Sequence, residues 1–446
     1  MPSNETLIGS AKLAVTAWLT SLMSNRLAKD TLTMSAANFL RLLLQAVYFV
    51  AIARTLGSRQ YGEFVAISAV VGVLTPFSGL GSPIVLLKSV SQNRGLLRTY
   101  WGNGLFLILL SGSVFSLLVA GIGPTFFGSR LLLSIACMSI SELILCRIVE
   151  LASFVFLALG RMKETALLNI YISLSRLICI LVLTVVKATP TVEDWCVAVL
   201  CGSIVCAVYS FYKVTRIERG GMDLVRLKQE LAESTFFAIG NSAATFYNDI
   251  DKSMLARLSD LSSAGIYGAA YKIIDVSMAP IRAMTACAYA EFFRRGADGP
   301  ANALAYAKKL ARRAAIFAVS IYIVLTVSAP VLPLILGNSF RDSAEALRWL
   351  AIIPLLRAVH LFLGDALSGC GHNPSRIGVQ VIVAITNIGL NFVFIKQWSW
   401  RGAAWTSITC DALLLLGFAF AFAGISRCVS RPDRAAACLE LTKDLA

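Results

Sequence analysis

The chain has 446 residues, 57% of them hydrophobic and only 15% charged, with a mean hydropathy of +0.74. Soluble domains run at about 45–50% apolar and about 25% charged, so a soluble globular fold is excluded and an integral membrane protein is implied. The formal charge of +15 is spread over short loops with no basic run interleaved with aromatics, which argues against nucleic acid as a partner.

The first thirty residues do not read as a cleaved signal peptide, because Glu5 sits where a basic region belongs and no small-x-small site follows Leu13 to Met23. Leu7, Ile8, Ala11, Ala14, Val15, Trp18, Leu19 and Leu22 recur at helical spacing, which favours a short interfacial helix over a disordered tail. Twelve apolar segments follow, near 34–53, 63–87, 102–123, 131–158, 165–186, 193–212, 234–256, 264–292, 314–336, 346–370, 377–395 and 402–425. Each is long enough to span a hydrocarbon core, which takes about 20 residues. Pro76, Pro280 and Pro354 fall inside spans two, eight and ten and should break their hydrogen-bond ladders locally. The 11 cysteines include no CxxC pair and the only histidines are His360 and His372, so neither a disulfide framework nor a histidine metal site is expected.

Loop charges set the orientation. Of the 40 lysines and arginines, 24 lie in the termini and alternate loops on one side and 9 in the loops between. The positive-inside rule then puts both termini in the cytoplasm. The longest cytoplasmic connection divides the chain into an N-terminal segment (1–30), an N-lobe of spans one to six (31–213), a linker (214–233), a C-lobe of spans seven to twelve (234–427) and a tail (428–446). A weak parallel repeat links the halves: Asn38 precedes Ala53-Arg54 and Asn241 precedes Ala256-Arg257 by the same 15 residues.

Four blocks resemble polysaccharide repeat-unit flippases of the multidrug/oligosaccharidyl-lipid/polysaccharide exporter superfamily. They are Ala53 to Phe64, containing Ala53-Arg54-Thr55-Leu56-Gly57 and Tyr61-Gly62; Gly79-Leu80-Gly81; Asp249 to Leu255 leading to Gly265-Ile266-Tyr267-Gly268-Ala269-Ala270-Tyr271; and Leu361 through Gly369, Gly371, Asn387 and Asn391 to Arg401-Gly402-Ala403-Ala404. The resemblance implies an all-α polytopic protein of about twelve transmembrane helices, in two six-helix lobes around a central cavity that opens alternately to either side. It implies as substrate an undecaprenyl-pyrophosphate-linked oligosaccharide, flipped for O-antigen, capsule or exopolysaccharide synthesis at the bacterial inner membrane. Partners would be that lipid-linked substrate, membrane lipids and the polymerase or export machinery. The peptidoglycan-precursor branch of the superfamily has fourteen spans, and no extra pair is found here.

A pyrophosphate must be desolvated and neutralised on its way across, which lysine and arginine supply. Charges inside membrane spans are costly and usually face a bundle interior or wet cavity. The expected cationic cavity residues are therefore Arg41, Lys252, Lys272 and Arg282, followed by Arg147, Arg176 and Arg357. Lys272, Asp275 and Arg282 fall within about an 80° arc of span eight at roughly 100° per residue, forming one polar stripe. Asp249–Lys252, Lys272–Asp275 and Arg147–Glu150 have the spacing of intrahelical pairs. Arg41, Arg176, Arg282 and Arg357 have no acid at that spacing, which points to cavity or interhelical roles. Asp249, Asp275, Asp365, Asp411 and Glu142 either balance these cations or include a site for a coupling proton or sodium ion. Arg54 and Tyr61-Gly62 are read as shaping the outer turn. No cofactor or metal is called for, and no enzyme activity: no loop is long enough for a catalytic domain, which disfavours a membrane glycosyltransferase or polymerase. A cation-coupled drug exporter of the same superfamily is the alternative, disfavoured because its cavity would lean acidic.

Overall fold

A computed structural model describes residues 26–223, 225–228, 231 and 249–429. The described residues are predominantly helical, joined by short turns, and contain no strand. This follows from the apolar composition, since an unpaired backbone group in hydrocarbon costs several kcal/mol and an α-helix satisfies its own. The helices are α1 (Arg26–Leu74), α2 (Ser82–Gln92), α3 (Leu97–Phe127), α4 (Leu132–Ile140), α5 (Cys146–Ala158), α6 (Met162–Val186), α7 (Val192–Thr215), α8 (249–258), α9 (Leu261–Ser277), α10 (Ala279–Ala297), α11 (Pro300–Ser328), α12 (Val331–Leu336), α13 (Ser343–Leu350), α14 (Ile353–Gly369) and α15 (Asn373–Val429).

Eight helical stretches are long and apolar enough to cross a membrane. Two of them are double-length. Ala36–Gln92 turns back at Gly57, whose φ of 68° and ψ of 174° leave the helical region. Asn373–Ile425 does the same at Ser399 (φ 52°, ψ −132°). The eight therefore carry ten crossings. Span eight does not join them because Lys272, Asp275 and Arg282 lie in it, and span seven is described only from residue 249. The expected repeat partner Asn241, most of segment 1–30, five residues of the linker 214–233 and nearly all of the tail 428–446 lie outside the described residues. Residues 26–30 already belong to α1. The described start of the linker docks on the N-lobe, with Gly221 N donating to Arg98 O (2.9 Å) and Asp223 exchanging two hydrogen bonds with the Asn103 amide.

Each intraspan proline marks a break. Pro76 opens a single 3-10 turn, Pro280 stands at the start of α10, and Pro354 at the start of α14. Pro280 matters most, because it divides span eight into α9 and α10 at Met278. Span four is interrupted differently, by a π-turn over Ser141–Leu145 between α4 and α5.

Three apolar cores hold the bundle. At the charge-rich end the lobes have separate cores: Leu86, Trp101, Val149, Phe156 and Cys206 in the N-lobe, and Phe292, Ala307, Ala314, Phe362 and Phe418 in the C-lobe. On α11, Ala303, Ala307, Ala311, Ala314 and Ala318 form a buried stripe that lets α14 approach closely. At the charge-poor end a single core runs through both lobes, joining Ile52, Leu56, Tyr61 and Trp195 to Tyr267, Leu336, Phe340 and Leu347. The lobes are thus sealed together at one end.

The seal is built on backbone contact. A Cβ added at Gly62 of α1 would lie 1.7 Å from Leu261 O, and one added at Gly265 of α9 would lie 2.0 Å from Ser58 O. Only glycine permits that approach. Ser58 Oγ meets Ser262 Oγ at 2.9 Å, and Tyr61 stacks edge-on against Phe340. Arg54 donates across the lobes to the carbonyls of Ile335 (2.6 Å) and Leu334 (3.2 Å), which end α12 and lack intrahelical partners.

Candidate functional site

Beneath the seal, a cavity of about 270 Å³ lies between the lobes. The two halves of α1 contribute Gln45, Tyr48, Phe49 and Ser68, and α6 contributes Ser173 and Arg176. From the C-lobe, α8 supplies Asp249 and Lys252, and α9 supplies Tyr271, Lys272 and Asp275. Cations from opposite lobes therefore face one space.

Most of them already hold an acid. Arg176 Nη2 is 2.5 Å from Glu142 Oε1 and also donates to Cys146 Sγ (3.1 Å). The π-turn in span four presents Glu142 for this pair. π-turns of this kind occur frequently at functional sites. The same turn leaves the Leu143 carbonyl to accept from Ser78 Oγ. Lys252 Nζ forms an ion pair with Asp249 Oδ1 and stands 4.2 Å from the centroid of the Tyr271 ring, a cation–π geometry. Lys272 is exposed to the cavity and makes no ion pair or hydrogen bond among the described residues. Asp275, three residues on, lines the same cavity without forming an ion pair with Lys272.

Behind Tyr271 lies a buried polar cluster of the C-lobe. Arg357 Nη2 donates to the Tyr271 hydroxyl, Arg357 Nε pairs with Asp411 Oδ2 at 3.2 Å, and His360 Nε2 is 3.1 Å from Asp411 Oδ1. Asp251, fully buried, accepts from Tyr267 Oη (2.5 Å), Ser407 Oγ (3.1 Å) and Lys252 N (2.7 Å). These bonds tie α8, α9, α14 and α15 together around the cavity wall.

Three of the seven cations expected at the cavity, Arg176, Lys252 and Lys272, line it together with Asp249 and Asp275. The other four do not. Arg357 is 8% exposed and belongs to the cluster behind the wall. Arg147 pairs with Glu150 on its own helix, as its spacing predicted. Arg41 sits on α1 outside the lining, its Nε buried without a hydrogen-bond partner among the described residues. Arg282 lies beyond the break at Met278, so the one-sided stripe with Lys272 is not continuous; its Nη2 donates to the Asp275 carbonyl (2.5 Å), one of the free acceptors at the end of α9. The Lys272–Asp275 ion pair that the spacing allowed is not formed. Glu142 and Asp411 balance arginines from other helices, and Asp365 pairs with Arg376 in the first turn of α15 at 3.3 Å. No cluster of three or more metal-ligating side chains occurs among the described residues.

Sequence reasoning missed the cavity aromatics Tyr48 and Tyr271 and the sealing role of Arg54, Tyr61, Gly62 and Gly265. The glycines carried a signal, since small residues in apolar helices mark close packing. Their partner across the lobes was not visible.

Residues 27–287 match the family described as polysaccharide biosynthesis protein. The chain belongs to this family. No curated protein sequence matches it significantly. Among solved structures, the chain is similar to the lipid II flippase MurJ in an inward closed conformation, with TM-score 0.71, 13% identity and coverage of 87% of each chain. It is similar to a multidrug resistance MATE family transporter in an inward-facing conformation at TM-score 0.70 and 12% identity, covering 87% of this chain and 96% of that one. An outward-facing conformation of a MATE family transporter gives TM-score 0.63 at 13% identity, over 90% and 96%. The fold is that of the MOP superfamily, the two-lobed architecture expected from the sequence.

Proposed function

We propose that this protein translocates an undecaprenyl-pyrophosphate-linked oligosaccharide repeat unit across the bacterial inner membrane, for O-antigen, capsule or exopolysaccharide assembly. Both termini lie in the cytoplasm in this reading, and transport proceeds by alternating access. The observation that carries it is the convergence of Arg176, Lys252 and Lys272, from three helices and both lobes, on one interlobe cavity. Family membership in polysaccharide biosynthesis supports it.

The chemistry follows from the pairing. Lys272 offers a cation with no acid to displace. A pyrophosphate bound there would replace Asp249 at Lys252 and share Arg176 with Glu142, exchanging one ion pair for another. Charge-assisted hydrogen bonds to phosphate are about twice as strong as neutral ones, and the guanidinium of Arg176 suits paired phosphate oxygens. The cavity is smaller than the roughly 300–1,000 Å³ of small-molecule pockets. In this state it suits the charged head, and the sugars require the space that opens as the lobes move.

The test is polymer export in cells whose own transporter is removed. Lys272→Gln and the double variant Arg176→Gln/Lys272→Gln should insert normally, lose surface polymer and accumulate lipid-linked repeat units on the cytoplasmic face. Normal surface polymer from the double variant would refute the reading.

A further inference from the structure

A second cavity lies outside the polar one. It has a volume of about 480 Å³ and is walled by one face each of three helices, with Phe392 of α15 at its edge. Val70, Val73 and Leu74 come from α1, Leu118 and Ile122 from α3. Ile250, Met254 and Arg257 line it from α8, spaced four and three residues apart and so on one helical face. Arg257 is its only charged wall residue among those described, exposed at the charge-poor end, and it makes no ion pair or hydrogen bond among the described residues.

Two helices separate this cleft from the polar cavity. On α8, Asp249 and Lys252 face the polar cavity while Ile250, Met254 and Arg257 face the cleft. On α1, Ser68 faces the polar cavity while Val70 and Val73 face the cleft. The partition is held where Ser253 Oγ donates to Ala66 O (3.0 Å) across the lobes. Parting α1 from α8 would therefore join the polar cavity to the cleft sideways, at the membrane, rather than only toward solvent.

Apolar walls alone cannot select a lipid, because lipid tails are as apolar as leucine and gain little by moving between them. A selective occupant needs a charge that Arg257 recognises, attached to a chain that fills the slot. We propose that the cleft is the outer-leaflet seat of the carried lipid, with its isoprenoid chain between α1, α3 and α8 and its pyrophosphate on Arg257. The proposal rests on the reading of the protein as a lipid-linked oligosaccharide flippase. It adds where the tail rides and through which wall the lipid leaves.

The test uses the full-length protein in nanodiscs with a photoreactive polyisoprenyl pyrophosphate carrying no sugar, adducts being mapped by peptide mass spectrometry. Adducts are expected on the segments containing Leu118–Ile122 and Met254. They should fall about tenfold in Arg257→Gln, as for loss of one charge-assisted phosphate contact, and likewise in Leu118→Trp, an exposed position where the larger ring fills the slot without disturbing a core. They should persist in Lys272→Gln. Adducts confined to other segments, or unaltered in both cleft variants, overturn the proposal. So does equal competition by phosphatidylglycerol, which would make the cleft an ordinary lipid seat. Loss of export in Lys272→Gln without cleft adducts leaves the flippase reading standing and removes the seat; cleft adducts with normal export in the cavity variants do the reverse.

Discussion

Gly62→Ala is expected to pry open the seal between the lobes. The added methyl would lie 1.7 Å from Leu261 O and 2.9 Å from Gly265 N, where ordinary contact begins at 3.4 Å. The two backbones must retreat by about 1.7 Å at that point, and both belong to helices fixed by the shared core. Overpacking of this kind costs about 1–3 kcal/mol. When the lobes part at this end the methyl meets no opposing backbone, so the cost falls on the closed state alone. The equilibrium should then move toward the state open at the charge-poor end by roughly 5–150-fold. The assay is labelling of Ser68→Cys, in the cavity wall, by an impermeant thiol reagent applied from that side, in a background without native cysteines. Gly72→Ala on the same helix is the control, since its methyl would meet nothing within 4 Å. If labelling in Gly62→Ala matched that of Gly72→Ala, the glycine contact would not be what holds the lobes closed.

Other expected outcomes follow from the same geometry. Arg54→Ala removes both bonds to the end of α12 and should raise Ser68→Cys labelling in the same direction but less, because an exposed contact is worth little; a fall in labelling would contradict this. Asp411→Asn leaves Arg357 buried without its carboxylate and should cost about 3–5 kcal/mol, read as lower thermal stability of the purified protein. Arg357→Met combined with Asp411→Leu should recover part of that loss, and a double variant worse than the single would show that the pair is not the source. Arg282→Ala should lower stability modestly by freeing the Asp275 carbonyl while leaving export above that of Lys272→Gln; equal loss of export from both would return Arg282 to the cavity.

The helical membrane spans and their pairing into two lobes were legible because they depend on composition and period, which a single chain displays. The charged positions were legible as exceptional for the same reason: Arg176, Lys252 and Lys272 stand out in apolar surroundings wherever the helices pack. Their partners were legible only within a helix. Arg147–Glu150 and Asp249–Lys252 follow from spacing, whereas Glu142 reaches Arg176 from another helix and only through a π-turn. Asp411 reaches Arg357 across a separation of 54 residues. Arg282 was misplaced by treating span eight as one straight helix, although Pro280 had marked it for interruption. The seal was hidden more deeply: Gly62 and Gly265 signalled close packing as small residues in apolar helices, but the backbone each meets across the lobes follows only from how the helices pack.

These interhelical pairs alter the argument from charge. The buried cations first read as a positive surplus awaiting an anion. With the helices packed, Glu142, Asp249 and Asp411 take up Arg176, Lys252 and Arg357, and the cavity wall is close to neutral. A carrier gains from this. Transport requires binding strong enough to draw the solute in and weak enough to release it. A cluster of unpaired cations in low dielectric would hold a pyrophosphate too tightly, because charges there are screened so little. Cations that must give up an acid to take a phosphate bind only by the difference between the two pairings. In the proposed cycle Lys272 makes the first contact, Lys252 and Arg176 exchange partners, and the displaced Asp249 and Glu142 regain their cations as the lipid leaves. Replacing Asp249 with Asn should then tighten binding of a polyisoprenyl pyrophosphate while slowing export. Weaker binding with export equally reduced would instead give Asp249 a purely structural role.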